Sequence, residues 1–367
     1  MKMKRICWHI SLISLLILLG SGCASYNYRY RQSTYDTRVE QGTVLKSIQL
    51  PAEIEDKILA LDPENIDEAG VREILARGPA PRIINIRGGV YPVYLAMESF
   101  STFLIEMGYP ESKIRNPADG SYSYSPYTNS AKIAGIIAWY YEKEGMKVML
   151  VGHSGGGIQT VKVLHELAGT FEGKIRVWNP LTDEEEDRYS IIDPLAGVER
   201  PVIGVQVGYA TAVGAGGLAT LVPTHWSMIG RLRKIPDTVE YFTGFYTILD
   251  PIGGTFLGLV KSENTYEANG PATVRTVTLP LTYNHVSVPF TSHLASNKAI
   301  RDWINNYVPS DEPELTVEFD TSSANILWAA DVWHSVKKQW CLEAQRLIRA
   351  KRSMGVGSGS TGPNVGP

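Results

Sequence analysis

The run Lys147-Val148-Met149-Leu150-Val151 passes directly into Gly152-His153-Ser154-Gly155-Gly156 and then into Ile158-Gln159-Thr160-Val161-Lys162-Val163-Leu164. The first stretch reads as a buried strand and the last as a helix, so the chain must reverse within a few small residues. A serine at such a bend is forced into a strained backbone conformation. Gly152 and Gly156 belong on either side of it because a side chain there would collide with neighbouring backbone. The start of the following helix offers free N–H groups, which favour negative charge beside Ser154.

The surroundings repeat the alternation. An apolar β-rich run at 82–86 precedes helical stretches at 94–107 and 131–144. Strand-like runs at 202–207, 238–246 and 273–279 come before a helix at 296–307, which Pro309 stops. In the second helix Ile133, Ile136, Ile137 and Tyr140 share a face, Ser130 can cap the start and Gly145 can end it. In the last, Ala299, Ile300, Trp303, Ile304 and Tyr307 line one side. Strands separated by helices predict an α/β class with a mostly parallel sheet and helices on both faces. The uncharged stretch 202–222 is long enough to cross a membrane. However, Gly204, Gly208, Gly214, Gly216 and Gly217 weaken a continuous helix, and Gln206 interrupts the apolar run. A buried strand followed by a Gly/Ala-rich turn and helix is expected there, with a membrane-dipping loop as the alternative.

Outside this domain, assigned to 81–308, a helical N-terminal extension is expected over 51–80, with Pro63 breaking it. A C-terminal helical extension follows over 309–354, where Ile326, Trp333, Trp340 and Leu347 recur at heptad spacing with Val336 beside them. Its end is basic (Lys337, Lys338, Arg346, Arg349, Lys351, Arg352). Docking through Trp333 and Trp340 is preferred to contact with anionic lipid. The glycine- and serine-rich stretch 355–367 reads as a disordered tail.

The N-terminus reads as an export signal over 1–22: Lys2, Lys4 and Arg5 precede an uncharged run from Ile10 to Leu19. Leu19-Gly20-Ser21-Gly22-Cys23 resembles the lipobox of bacterial lipoproteins, with Gly20 where a larger aliphatic residue is usual. That resemblance implies a lipid anchor on Cys23, attachment to the cell envelope through the membrane and, with Ala24 next, the outer membrane in a Gram-negative cell. The alternative is an ordinary signal that leaves Cys23 a plain thiol. The stretch 23–50, polar and tyrosine-rich at its start, reads as a tether. Once Cys7 leaves with the signal, Cys341 alone remains beyond the lipobox, which excludes an intrachain disulfide framework. With 35 Lys and Arg against 38 Asp and Glu, and a net charge of −3, nothing in the charge points to nucleic acid.

The strand, G-x-S-x-G turn and helix together resemble the nucleophile elbow of the α/β-hydrolase superfamily, over roughly 81–307. The resemblance implies Ser154 as nucleophile and an oxyanion hole from the N–H of Gly155 and one from an earlier loop. Arg87-Gly88-Gly89 fits that loop, with Arg87 where lipases carry histidine; Gly89 or Gly88 is the expected donor. It also implies an acid and then a histidine after successive late strands. Asp250 and His285 stand at those places, with His293 as rival base and Asp193 and Asp237 as weaker acids. A neutral imidazole can take the serine proton while a carboxylate fixes its tautomer. His153, beside the nucleophile, is expected in a supporting or binding role. The activity implied is that of a serine esterase or lipase acting on a small-molecule or lipid ester through an acyl-enzyme. An acyltransferase using the same residues and a non-catalytic envelope binding protein are the alternatives. No cofactor is called for. No H-E-x-x-H, Cys/His cluster or EF-hand loop suggests a metal, and the acidic run 183–187 reads as a solvated loop.

Overall fold

All five strand-like runs contribute to one parallel sheet in the computed structural model, which describes residues 44–171, 173–254 and 261–357. The strands are β1 (Ile83–Ile86), β2 (Met149–His153), β3 (Val207–Val213), β4 (Val239–Thr247) and β5 (Thr273–Leu279), and they lie side by side in that order. Side chains alternate between two faces, as pleating requires. Ile84, Leu150, Ala212 and Phe242 pack on one face against α4 (Ser130–Glu144) and α5 (Gly155–Leu167). Ile83, Val151, Val213, Phe245 and Val277 pack on the other against α3 (Tyr91–Glu106), α7 (Lys298–Asn305) and α8 (Ile326–Gly357).

This topology explains why the terminal segments are helical. A parallel sheet laid down in monotonic order, with each crossover turning the same way, places those crossovers on one face. The second face is covered by α3, an extra helix within the long β1–β2 connection, and by α7 and α8, which follow the last strand. Trp328, Trp333 and Trp340 of α8 are fully buried there. The expected boundaries at 81 and 309 therefore do not separate cores. Gln345 of α8 donates to the carbonyls of Ile58 and Leu61 at 3.0 and 2.9 Å, tying α8 to α2 (Ala52–Ala60). Lys351 and Arg352 pair with Glu55 at 2.6 and 2.9 Å, so these two cations of the basic end are taken up within the fold.

Several boundaries differ from the sequence expectation for local reasons. The third strand begins at Val207 rather than Val202, because Gly204 sits at φ +88 and turns the chain. The helix expected after it is replaced by two 3₁₀ turns, Gly217–Leu221 and Pro223–Met228, since Gly214, Gly216 and Gly217 all take positive φ and Pro223 interrupts the ladder. Among the described residues no helix is long and apolar enough to cross a membrane. Asn129, not Ser130, caps α4, accepting from Ala131 N–H at 2.8 Å; the Ser130 hydroxyl turns to Glu166 at 2.6 Å. The helix expected over 296–307 is split into α6 (Ser292–Ser296) and α7, whose start is capped by the Asn297 side chain. The tether does not extend to residue 50: α1 (Val44–Ser47) has Val44 and Leu45 buried. Residues 355–357, expected in the tail, belong to α8. The export signal, Cys23 and 358–367 lie outside the described residues.

Candidate active site

Ser154 stands where β2 ends and α5 begins, at φ 58 and ψ −125. Its N–H still belongs to the sheet, bonding the Val213 carbonyl at 2.8 Å, while its carbonyl already accepts from Gly157 and Ile158 at 2.9 and 3.2 Å. A non-glycine residue in this conformation costs on the order of 1–3 kcal/mol and persists only when its surroundings dictate it. Close packing does so here. A Cβ on Gly156 would lie 2.1 Å from the Ile86 carbonyl oxygen, and one on Gly152 2.3 Å from the Thr160 hydroxyl, so α5 can cross the sheet only on glycine. Ser154 keeps 8% of its surface, so the residue is recessed but not wholly enclosed.

Two further loops at the same edge of the sheet reach it. The His285 Nε2 is 2.9 Å from Ser154 Oγ, and its Nδ1 is 2.7 Å from Asp250 Oδ2. A carboxylate can only accept, so Nδ1 carries the proton and Nε2 presents a lone pair to the serine O–H. The other Asp250 oxygen accepts from the N–H groups of Ile252 and Gly253, each at 3.0 Å, which fixes the carboxylate plane. Burial pushes the Asp250 carboxyl upward, but the His285 ring and these two N–H groups outweigh it and hold the group below the ordinary carboxylate range. Asp250 follows β4 and His285 follows β5, in the chain order expected.

The remaining expected residues separate. His293 lies on α6, its ring facing the backbone at Ala324, and among the described residues it makes no hydrogen bond to Ser154. Asp193 is committed elsewhere, accepting from Leu195 and Ala196 N–H and pairing with Arg200. Gly88 lies against the serine, since a Cβ there would come within 3.0 Å of Ser154 Cβ. Gly89 instead faces the Tyr127 hydroxyl. Gly155, in the first turn of α5, has an N–H with no acceptor within its helix. Of the two loop glycines, Gly88 is thus the one at the serine.

His153 is wholly buried. Its Nε2 donates to the main-chain carbonyl of His285 at 2.6 Å, and its Nδ1 has no partner. Burial, with His285 beside it, pulls the ring down to about 3, so it stays neutral. It joins the strand that carries the serine to the loop that carries the second imidazole.

His225 carries no role legible in the sequence pattern. Its Cε1 lies 3.1 Å from where a Cβ on Gly155 would be, its Nδ1 is 2.9 Å from the Ala219 carbonyl, and burial lowers its pKa. The available signal was a solitary histidine inside an uncharged stretch running from 201 to 230. The segments that follow the strand ends, the start of α3 included, expose Tyr91, Leu95, Tyr127, Leu221, Trp226, Ile229, Ile248, Leu249 and Leu281. No family model matches the chain, and no curated protein matches it.

Proposed function

We propose that the chain is a serine hydrolase of the α/β-hydrolase type that cleaves carboxylic esters through an acyl-enzyme on Ser154. The observation that carries this is the continuous hydrogen-bonded series from Ser154 Oγ through His285 to Asp250, at 2.9 and 2.7 Å, on a serine held in a strained turn. His285 takes the hydroxyl proton as Ser154 attacks the acyl carbonyl, and Asp250 stabilises the imidazolium. The N–H of Gly155 and one from the Gly88 loop are the donors for the oxyanion, and water then releases the acid.

The rim supports a lipophilic ester. Its loops carry long stretches without Asp, Glu, Lys or Arg, over 88–97, 201–230 and 276–297, and expose large apolar side chains. Those stretches offer a charged substrate no counter-charge, Arg87 beside Gly88 being engaged with the Tyr94 ring and the Ser123 carbonyl, whereas an apolar one gains about 25 cal/mol per Å² of surface removed from water. The N-terminal sequence supports export and a lipid anchor at Cys23, which would hold the enzyme at the envelope beside such substrates. Mass analysis of the mature N-terminus tests that anchor.

Turnover of a p-nitrophenyl ester series tests the activity. Hydrolysis should rise with acyl length and vanish in Ser154→Ala. A folded wild-type chain that hydrolyses none of the series would overturn the proposal.

A further inference from the structure

A cavity of about 480 Å³ lies away from Ser154, beneath α8 and against the first halves of β3, β4 and β5. Its volume is that of a small-molecule pocket. The sheet face that forms its floor departs from the apolar pattern seen near β1 and β2: it carries Tyr209, Thr211, Tyr241, Thr243 and Arg275. Such polar groups inside a core are tolerated when their hydrogen bonds are made.

Here several are not. Tyr209 and Gln339 both line the cavity and are 1% exposed, and neither the Tyr209 hydroxyl nor the Gln339 carbonyl oxygen has a partner among the described residues. Tyr209 is surrounded by the hydroxyls of Ser335, Thr243 and Thr211 but bonds none of them in good geometry. The Thr211 hydroxyl and one Asp331 oxygen close by are likewise unpaired. Each such group costs about 1–3 kcal/mol when left without a partner.

The charges around the cavity are, by contrast, taken. Arg275 pairs with Asp331 and, at 3.8 Å, Asp311; Lys338 pairs with Glu64; Asp67 accepts from Gly70 N–H at 2.7 Å. His334 faces Glu64 at 3.6 Å, and burial with Lys337 nearby pulls its ring down to about 4, leaving it neutral. What is left over is an excess of uncharged hydroxyl and carbonyl oxygens, to which a ligand bearing several hydroxyls can donate, while a charged ligand meets charges that are already paired. We propose that this cavity binds a small, uncharged, polyhydroxylated ligand of about sugar size. The site is independent of the chemistry assigned to Ser154.

Saturation-transfer NMR on the full chain with D-glucose, glucosamine and glucose 6-phosphate tests this, since the three share a ring and differ in charge. D-glucose should bind, and more tightly than either charged sugar. Tyr209→Phe and Gln339→Leu should each weaken it at least fivefold. Tyr209→Phe should not lower the melting temperature, because it removes an unpaired buried hydroxyl, whereas Gln339→Leu also gives up the 3.3 Å bond to Glu240; labelling of Ser154 by a fluorophosphonate should be unchanged in both. Binding of the charged sugars only, glucose binding that is the same in both variants, or no binding of any of the three would overturn the proposal.

Discussion

The two edges of the sheet are built on opposite terms. At the edge where the strands end, the loops are uncharged over long stretches and hold two non-glycine residues at positive φ, Ser154 and Leu249. At the edge where the strands begin, charges are abundant and mutually paired: Lys147 with Glu240, Arg275 with Asp331, Lys338 with Glu64. Backbone strain and exposed apolar surface cost stability, and they collect where Ser154, His285 and Asp250 meet. The opposite edge, clamped by α8, supplies the rigidity that holds the strained edge in place.

The largest effect that separates the two edges belongs to Asp250→Asn. It should lower kcat by about 10⁴-fold, because the wrong His285 tautomer is then favoured, while the protein stays folded. The same carboxyl gives a stability signature. Its folded pKa is lowered, so its contribution is complete above the unfolded value of about 3.9 and is lost as pH falls through the lowered one. The stability gap between wild type and the Asn variant should therefore close only at strongly acid pH in thermal melts. Gly156→Ala comes next. A methyl group 2.1 Å from the Ile86 carbonyl should cost about 3 kcal/mol in denaturant unfolding, breaking the packing that sets the turn.

At the other edge, burial raises Asp331 to about 6 despite Arg275. The folded chain then holds a proton that the unfolded chain releases near pH 4. Stability from this group is fully present below that pH and declines as pH rises to about 6, by on the order of 2 kcal/mol. Asp331→Asn should flatten that slope in urea titrations across pH 4 to 7. His153→Leu, which removes the donor to the His285 carbonyl, should reduce kcat by about tenfold with KM unchanged, and His153→Gln should recover part of it. The smallest effect is a gain: Leu249→Gly relieves a φ of +66 on an exposed leucine and should raise stability by no more than about 1 kcal/mol.

The same contrast sets what could be read from the sequence. The run 147–164 revealed its strand, turn and helix because pattern and glycine placement are both local. Asp250 and His285 were placed by chain order after their strands. His285 is preferred to His293 by its shorter distance from the preceding strand, but the hydrogen bond of its ring to Ser154 is a three-dimensional feature that spacing along the chain does not encode. The third strand was misplaced by five residues because 202–222 has no charge to mark a face, and the positive φ of Gly204 is invisible in composition. His153 was seen beside the serine, but its bond to the His285 carbonyl spans 132 residues and has no sequence signal. Nor did the heptad pattern of α8 indicate that its polar side chains would roof a polar floor on β3 to β5.

The most direct test is covalent labelling with a fluorophosphonate, with the adduct located by peptide mass analysis and its rate followed in His285→Ala and His293→Ala. Ser154 acting with His285 predicts a single adduct on Ser154, formed far more slowly in His285→Ala and at the wild-type rate in His293→Ala. An adduct on another residue, or equal rates in wild type and His285→Ala, would contradict it.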